Sequence, residues 1–360
     1  GSCDPAQVEE VARTLARVLD GYKLIVEKST VPVNTAHLID RTIRRLAPAR
    51  NFEVASNPEF LREGSAIHDF LHPDRVVIGV DSERARALML ELYGKDFPCP
   101  ILVTDVKTAE LIKHAANAYL ATKISFINMV ANLCDELGVD IVTVAKGVGL
   151  DNRIGNAFLN AGLGFGGSCL PKDLKAFVKI ASQVGVDFSL LREVERINEQ
   201  RVERLLGKVE QALWVVRDKT VGVLGLAFKP ETDDIREAPS LKVIPRLKAQ
   251  GALLRVYDPR GARNFARIHP PDNGLTYVLS PYEAATGADV LLVLTDWNEF
   301  RSLDFDRIRT LMRSPIIVDG RNLFSVDEML LKGIEYYSLG RGDVMHFAQV
   351  PAVVEPRYGS

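Results

Sequence analysis

Cysteine is scarce in this 360-residue chain: four residues, at 3, 99, 134 and 169, with no C-x-x-C pair among them. That spacing excludes a disulfide framework and a zinc-ribbon site. Long hydrophobic runs are missing too, with nothing near the ~18 residues of a membrane span, and no secretory leader is visible. Excess charge of either sign is absent: 45 basic and 47 acidic residues leave a net charge of −2. Neither nucleic acid nor an anionic membrane is therefore an expected partner. No solenoid-period repeat and no low-complexity tract occurs. What remains is an ordinary globular composition, 47% hydrophobic and 26% charged, with length for two or three domains of ~100–200 residues each.

A second absence organises the chain. Between residues 106 and 137 there is no glycine or proline, while Leu111, Ala115, Ala118, Ile124, Ile127, Val130 and Leu133 recur at helical spacing. This predicts a helix of ~30 residues, about 45 Å long. It reads as a spine between two domains and as a dimer surface. On either side, short apolar strands alternate with helices. Before it lie Tyr22 to Glu27, Val54 to Ser56, Arg75 to Gly79 and Ile101 to Val103. After it lie Thr220 to Leu224, Leu253 to Tyr257, Val290 to Leu294 and Ile316 to Asp319. The expected class is α/β: two Rossmann-like doubly wound domains, the first incomplete, bridged by the long helix and a helical middle region. The expected boundaries are 1–104, 105–215 and 216–345, with a tail at 346–360.

A third absence is the dinucleotide fingerprint G-x-G-x-x-G after a strand. Residues 162–167 match its letters, but no strand precedes them. Gly222-Val223-Leu224-Gly225 follows a strand but lacks the pattern. The expectation is that the chain lacks N-terminal βαβ units, leaves a sheet edge unpaired and binds a dinucleotide weakly.

The densest signal is Gly164-Phe165-Gly166-Gly167-Ser168-Cys169-Leu170-Pro171-Lys172-Asp173. The glycines let backbone approach a ligand closely, and Pro171 suits the first turn of a helix. A thiol at that junction sits at the positive end of a helix dipole beside an ammonium, which favours the nucleophilic thiolate. Cys134 reads as core, Cys99 as a loop residue between prolines, and Cys3 as part of a ragged terminus.

Six segments in order resemble the UDP-glucose/GDP-mannose dehydrogenase family, in its UDP-glucose 6-dehydrogenase branch. They are residues 28–33 (Lys-Ser-Thr-Val-Pro-Val), 56–64 (Ser-Asn-Pro-Glu-Phe-Leu-Arg-Glu-Gly), 113–118 (Lys-His-Ala-Ala-Asn-Ala), 165–173, 225–229 (Gly-Leu-Ala-Phe-Lys) and 319–321 (Asp-Gly-Arg). The resemblance implies NAD-dependent four-electron oxidation of UDP-glucose to UDP-glucuronate, with Cys169 as nucleophile on the C6 aldehyde. It implies Lys113 and Asn117 around the oxyanion, and Asp173, Thr30 and Glu59 around a catalytic water. Phe60, Leu61, Lys113, Asn117, Arg153, Phe158, Phe165, Gly166, Phe228, Lys229 and Arg321 are implied substrate contacts. Thr30, Glu63, Lys172 and Arg236 are implied NAD contacts, and no metal is implied. The resemblance further implies a cytoplasmic homodimer.

Plainer readings stand beside these. Lys113 and Asn117 could be a solvated helix face, Asp173 a first-turn helix acid, Glu59 a loop carboxylate, and Arg236 a surface partner of Asp233 or Glu237. GDP-mannose oxidation and an inactive nucleotide-sugar-binding protein are the alternative functions.

Overall fold

A computed structural model describes residues 6–94 and 97–342; Cys3 and the 346–360 tail lie outside the described residues. The chain divides into two compact units. One comprises residues up to Ser125 together with Phe165–Ile197; the other comprises Phe126–Gly164 and the residues from Asn198 onward. The predicted long helix is present as Val106–Leu137, 32 residues, and the division falls within it.

The first unit holds a four-stranded sheet: β1 (Lys23–Glu27), β2 (Phe52–Ser56), β3 (Val76–Gly79) and β4 (Ile101–Thr104), in that order. β1 and β2 are parallel, as are β3 and β4. β2 meets β3 antiparallel through one pair, Ser56 with Gly79. Alternate side chains of β2 enter different cores, which is how a doubly covered sheet arises from a period of two. Phe52 packs with Ala12, Ala16, Ile39 and Ile43. Ala55 packs with Ile78, Met89 and Tyr93. Among the described residues β1 forms one edge of this sheet.

The second unit holds six strands: β5 (Thr220–Leu224), β6 (Leu253–Tyr257), β7 (Leu275–Tyr277), β8 (Val290–Val293), β9 (Ile316–Asp319) and β10 (Glu335–Ser338). Their spatial order is β10-β9-β8-β5-β6-β7, with every neighbouring pair parallel. This is the doubly wound order 3-2-1-4-5-6, whose direction of winding reverses between β5 and β8. β8 and β9 are buried at every position, which explains their continuous apolar sequence. Ligands of such sheets bind beyond the carboxyl ends of the strands at the reversal. Here those ends are Gly225 to Lys229 after β5 and Thr295 after β8. Gly225 has φ +98°, and a Cβ there would lie 2.5 Å from Thr295 Cβ, so only glycine lets the two strand ends approach this closely.

Candidate active site

In the first unit the chemistry gathers on two helices. Cys169 caps the helix Leu170–Gln183, which has a proline in its first turn. Its carbonyl accepts the Asp173 amide at 2.9 Å. The thiol is exposed and free of any disulfide, with Ser168 Oγ 3.7 Å from Sγ. One turn into that helix, Asp173 is 2% exposed. Its Oδ2 accepts a 2.6 Å hydrogen bond from Asn117 Nδ2 on the long helix. Its Oδ1 accepts none, although Lys172 Nζ lies 3.6 Å away. A buried carboxylate oxygen with unused acceptor capacity can orient a water or a substrate hydroxyl.

Lys113 lies one helical turn before Asn117, on the same face. Lys113 and Asn117 are 5% and 8% exposed, which rules out a solvated helix face. Lys113 Nζ is 3.3 Å from Glu59 Oε1 and 5.2 Å from the centre of the Phe60 ring. Glu59 Oε2 accepts the Leu61 amide at 2.6 Å, so the carboxylate both faces the ammonium and braces its own loop. The Arg75 guanidinium lies 3.7 Å from the Phe60 ring centre, and burial pushes its pKa down. Asn57 starts this loop and is 2% exposed. Its amide group donates to the Val77 carbonyl at 2.7 Å, and its oxygen accepts from Lys28 at 2.7 Å and Tyr93 at 2.6 Å. Thr30 and Glu63 are half-buried and Leu61 is exposed. Phe165 is buried with Ala118, Ala121 and Leu174, as a core side chain.

In the second unit, Arg321 follows β9. Its Nε donates to the Leu294 carbonyl at 2.8 Å, Nη1 to Gly164 at 3.0 Å and Nη2 to Phe228 at 3.2 Å. Three of five N–H groups thus hold backbone, two remain for other acceptors, and burial lowers the guanidinium pKa. Lys229 is half-buried, its Nζ 5.4 Å from the Phe228 ring centre. Phe158 takes a left-handed φ of 65°. Arg153 is exposed and pairs with Asp151 at 2.6 Å. Arg236 forms a two-pronged pair with Asp234, at 2.9 and 2.7 Å. A turn places the carboxylate two residues back against the Nε–Nη2 edge of the guanidinium, a geometry that residue types alone do not reveal.

The family comparisons cover three segments of the chain. Residues 1–96 match the NAD binding domain of the UDP-glucose/GDP-mannose dehydrogenase family, 107–200 its central domain and 222–326 its UDP binding domain. The chain belongs to that family. It is similar to a UDP-glucose 6-dehydrogenase of Bacillus subtilis, 46% identical over 342 residues, covering 95% of this chain and 74% of the relative. A UDP-glucose 6-dehydrogenase of Rhizobium meliloti is 45% identical over 349 residues, covering 95% and 79%. Among solved structures, a UDP-glucose dehydrogenase of the archaeon Pyrobaculum islandicum superposes with a TM-score of 0.86 at 39% identity, covering 94% and 76%. This dehydrogenase therefore uses NAD, and the reading of its α/β class holds.

For the cofactor, the parallel strands β1 and β2 carry Thr30 and Glu59 just beyond their carboxyl ends, the end at which such sheets bind ligands. No glycine-rich strand-to-helix turn occurs among the described residues, and none of them is assigned to the pyrophosphate.

Several residues of the dehydrogenase's two units had no role assigned by sequence, although Asp319 lies in the 319–321 segment. Asp258, after β6, is 4% exposed. It accepts from the amides of Leu226 and Ala227, at 2.6 and 3.0 Å, and from the Trp297 indole at 3.1 Å. It thereby fixes the turn after β5. Asp319 accepts from the Leu323 amide at 2.6 Å and the Tyr336 hydroxyl at 2.7 Å, and burial raises its pKa. A strand ending in Asp was the available signal for both. Arg201 and Glu110 carried no signal. Among the described residues no group of three or more His, Cys, Asp or Glu could hold a metal, and no helix is long and apolar enough to cross a membrane.

Proposed function

We propose that this dehydrogenase oxidises UDP-glucose to UDP-glucuronate, consuming two NAD⁺ and one water. The observation that carries the proposal is the buried Lys113–Asn117–Asp173 group, joined by a 2.6 Å hydrogen bond to the helix that Cys169 starts. The names of the relatives, 45–46% identical over 95% of the chain, support the choice of sugar nucleotide. Bound NAD⁺ supplies the hydride acceptor in both oxidations.

The residues divide the remaining work. The Cys169 thiolate adds to the C6 aldehyde, and the Lys113 ammonium and Asn117 amide stabilise the oxyanion so formed. Loss of hydride from that thiohemiacetal leaves a thioester on Cys169. Water then attacks the thioester, giving the carboxylate and releasing the thiol. Asp173, through its unused Oδ1, orients that water, and Glu59 beside Lys113 accepts its proton. The second unit takes the UDP moiety beyond β5 and β9, where Lys229 and the two remaining N–H groups of Arg321 meet the phosphates.

A homodimer through the long helix is part of the same proposal. Phe126, Met129, Leu133 and Leu137 are 57, 40, 62 and 72% exposed at three- and four-residue spacing, which places an apolar stripe on one helix face. A free exposed thiol suits the reducing cytoplasm.

The test is NADH formation from UDP-glucose by the wild type and by Cys169→Ser. The variant should lose at least about 10³-fold in kcat while its Kd for UDP-glucose stays within about twofold. Retention of a tenth of wild-type kcat would remove Cys169 from the mechanism.

A further inference from the structure

The segment after β1 contains Thr30 and leads into the helix Thr35–Leu46. It makes a small bond set of its own: the Thr35 amide and hydroxyl both donate to the Pro32 carbonyl, at 3.1 and 2.5 Å. Its other anchors come from the long helix. Glu110 Oε2 accepts the Asn34 amide at 2.6 Å, and Oε1 accepts the Ala36 amide at 2.9 Å. His114 Nε2 lies 2.8 Å from the Val31 carbonyl. A carbonyl only accepts, so Nε2 carries the proton. In the neutral ring Nδ1 is then an acceptor, and His114 Nδ1 is buried without a hydrogen-bond partner. The His114 ring also stacks on Phe177, with 5.8 Å between centres.

This is a costly way to start a helix. Asn34 stands at the N-cap with φ 87° and makes no side-chain cap bond. An ordinary serine or aspartate cap would serve locally. The chain instead buries a carboxylate and an imidazole, 3% and 1% exposed, on a different helix. Burial disfavours the Glu110 charge, and an unmet His114 acceptor adds to the cost. Stability alone does not account for that choice. Position does: 110, 113, 114 and 117 share one face of the long helix. The face that carries Lys113 and Asn117 also grips the Thr30 segment.

We infer that Glu110 and His114 are positioning residues of the dehydrogenase reaction. They hold the Val31–Ala36 backbone, and Thr30 with it, in register with Lys113 and Asn117. The inference rests on the function proposed above, and it is tested by two readouts, only one of which depends on that function.

The variants are His114→Leu, Glu110→Ala and His114→Gln, each assayed well below its own melting temperature. Amide hydrogen exchange over residues 31–36 should speed up about tenfold or more in the first two. Their kcat for UDP-glucose oxidation should fall about tenfold to a hundredfold with KM for UDP-glucose nearly unchanged, the signature of misplaced reacting groups. His114→Gln keeps a donor for the Val31 carbonyl and should restore most of both. Faster exchange with wild-type kcat would overturn the inference, because the segment's position would not matter to the reaction. Lost kcat with unchanged exchange would overturn it as well, because the effect would not pass through the segment. Wild-type protein that forms no NADH from UDP-glucose would defeat the proposed function instead, and unchanged exchange in the variants would still defeat the clamp.

Discussion

Arg201 offers the sharpest energetic test of the second unit. It is 1% exposed and has no carboxylate within salt-bridge distance among the described residues. Its Nε donates to the Gly162 carbonyl at 2.8 Å, and Nη1 donates to Asn132 Oδ1 at 2.6 Å and to the Asn128 carbonyl at 3.3 Å. Burial lowers its pKa by more than two units, to about 10. At ~1.36 kcal/mol per unit that corresponds to roughly 3 kcal/mol of desolvation opposing the charged form. The sign matters. A base whose folded pKa is depressed carries this penalty in full below about pH 10, and the penalty fades as the pH rises further toward the ordinary arginine value. It is therefore constant through the physiological range. Against it stand three bonds to a charged donor, of ~1.5–3 kcal/mol each. Arg201→Met would recover the desolvation cost. It would also leave the Gly162 carbonyl and Asn132 Oδ1 buried without their donor, at ~1–3 kcal/mol apiece. Three charge-assisted bonds lost, less the roughly 3 kcal/mol recovered, give a net expected loss of roughly 1.5–6 kcal/mol. Urea unfolding at pH 6 and pH 8 should show the same loss at both. Adding Asn132→Leu removes one stranded acceptor and should return ~1 kcal/mol or more, a coupling that a double-mutant cycle reads directly. A variant as stable as the wild type, or a loss that changes between pH 6 and 8, would refute this accounting.

Four other outcomes follow from the geometry. Lys229→Ala should raise KM for UDP-glucose about tenfold with little change in melting temperature, since a charge-assisted phosphate contact is worth ~1.5–3 kcal/mol. Arg321→Ala should weaken binding and also lower the melting temperature, because its guanidinium holds three backbone carbonyls; equal melting temperatures for the two variants would contradict that distinction. Gly225→Ala should destabilise by ~2 kcal/mol or more, from a strained φ plus the contact with Thr295, and an unchanged unfolding midpoint would show that the turn relaxes. Leu133→Asp should dissociate the dimer in sedimentation if the exposed stripe is the interface, and an unchanged sedimentation coefficient would place the interface elsewhere.

The sequence was legible where local rules suffice. A glycine- and proline-free stretch could only be a long helix, and the all-buried strands β8 and β9 announced themselves by continuous apolar residues. The antiparallel meeting of β2 and β3 was not legible, since it rests on one residue pair, Ser56 with Gly79. β7 escaped because three residues at a sheet edge, Leu275–Tyr277, bury too little to leave a pattern. β10 escaped because Tyr336 and Tyr337, although buried, look in sequence like a turn next to Gly333.

The site divides along the same line. Cys169, Lys113 and Asn117 stood out because they lie in short motifs that resemble those of the family. The Asn117–Asp173 bond joins residues 56 apart in sequence, and the Glu110 bonds to Asn34 and Ala36 span 76 and 74. A charge at helical spacing looks the same whether it meets water or a distant backbone, and Glu110 and Arg201 have the sequence surroundings of ordinary solvated residues. What distinguishes them is cost. An exposed ion pair contributes little, whereas a buried charge without a counter-charge must be held by several hydrogen bonds or lost. Both meet that requirement with backbone: Glu110 through two amides, Arg201 through two carbonyls and an asparagine. Backbone partners fix loops, not side chains. The buried charges missed in the sequence are therefore the ones that place the loops, and the motifs name the groups those loops carry.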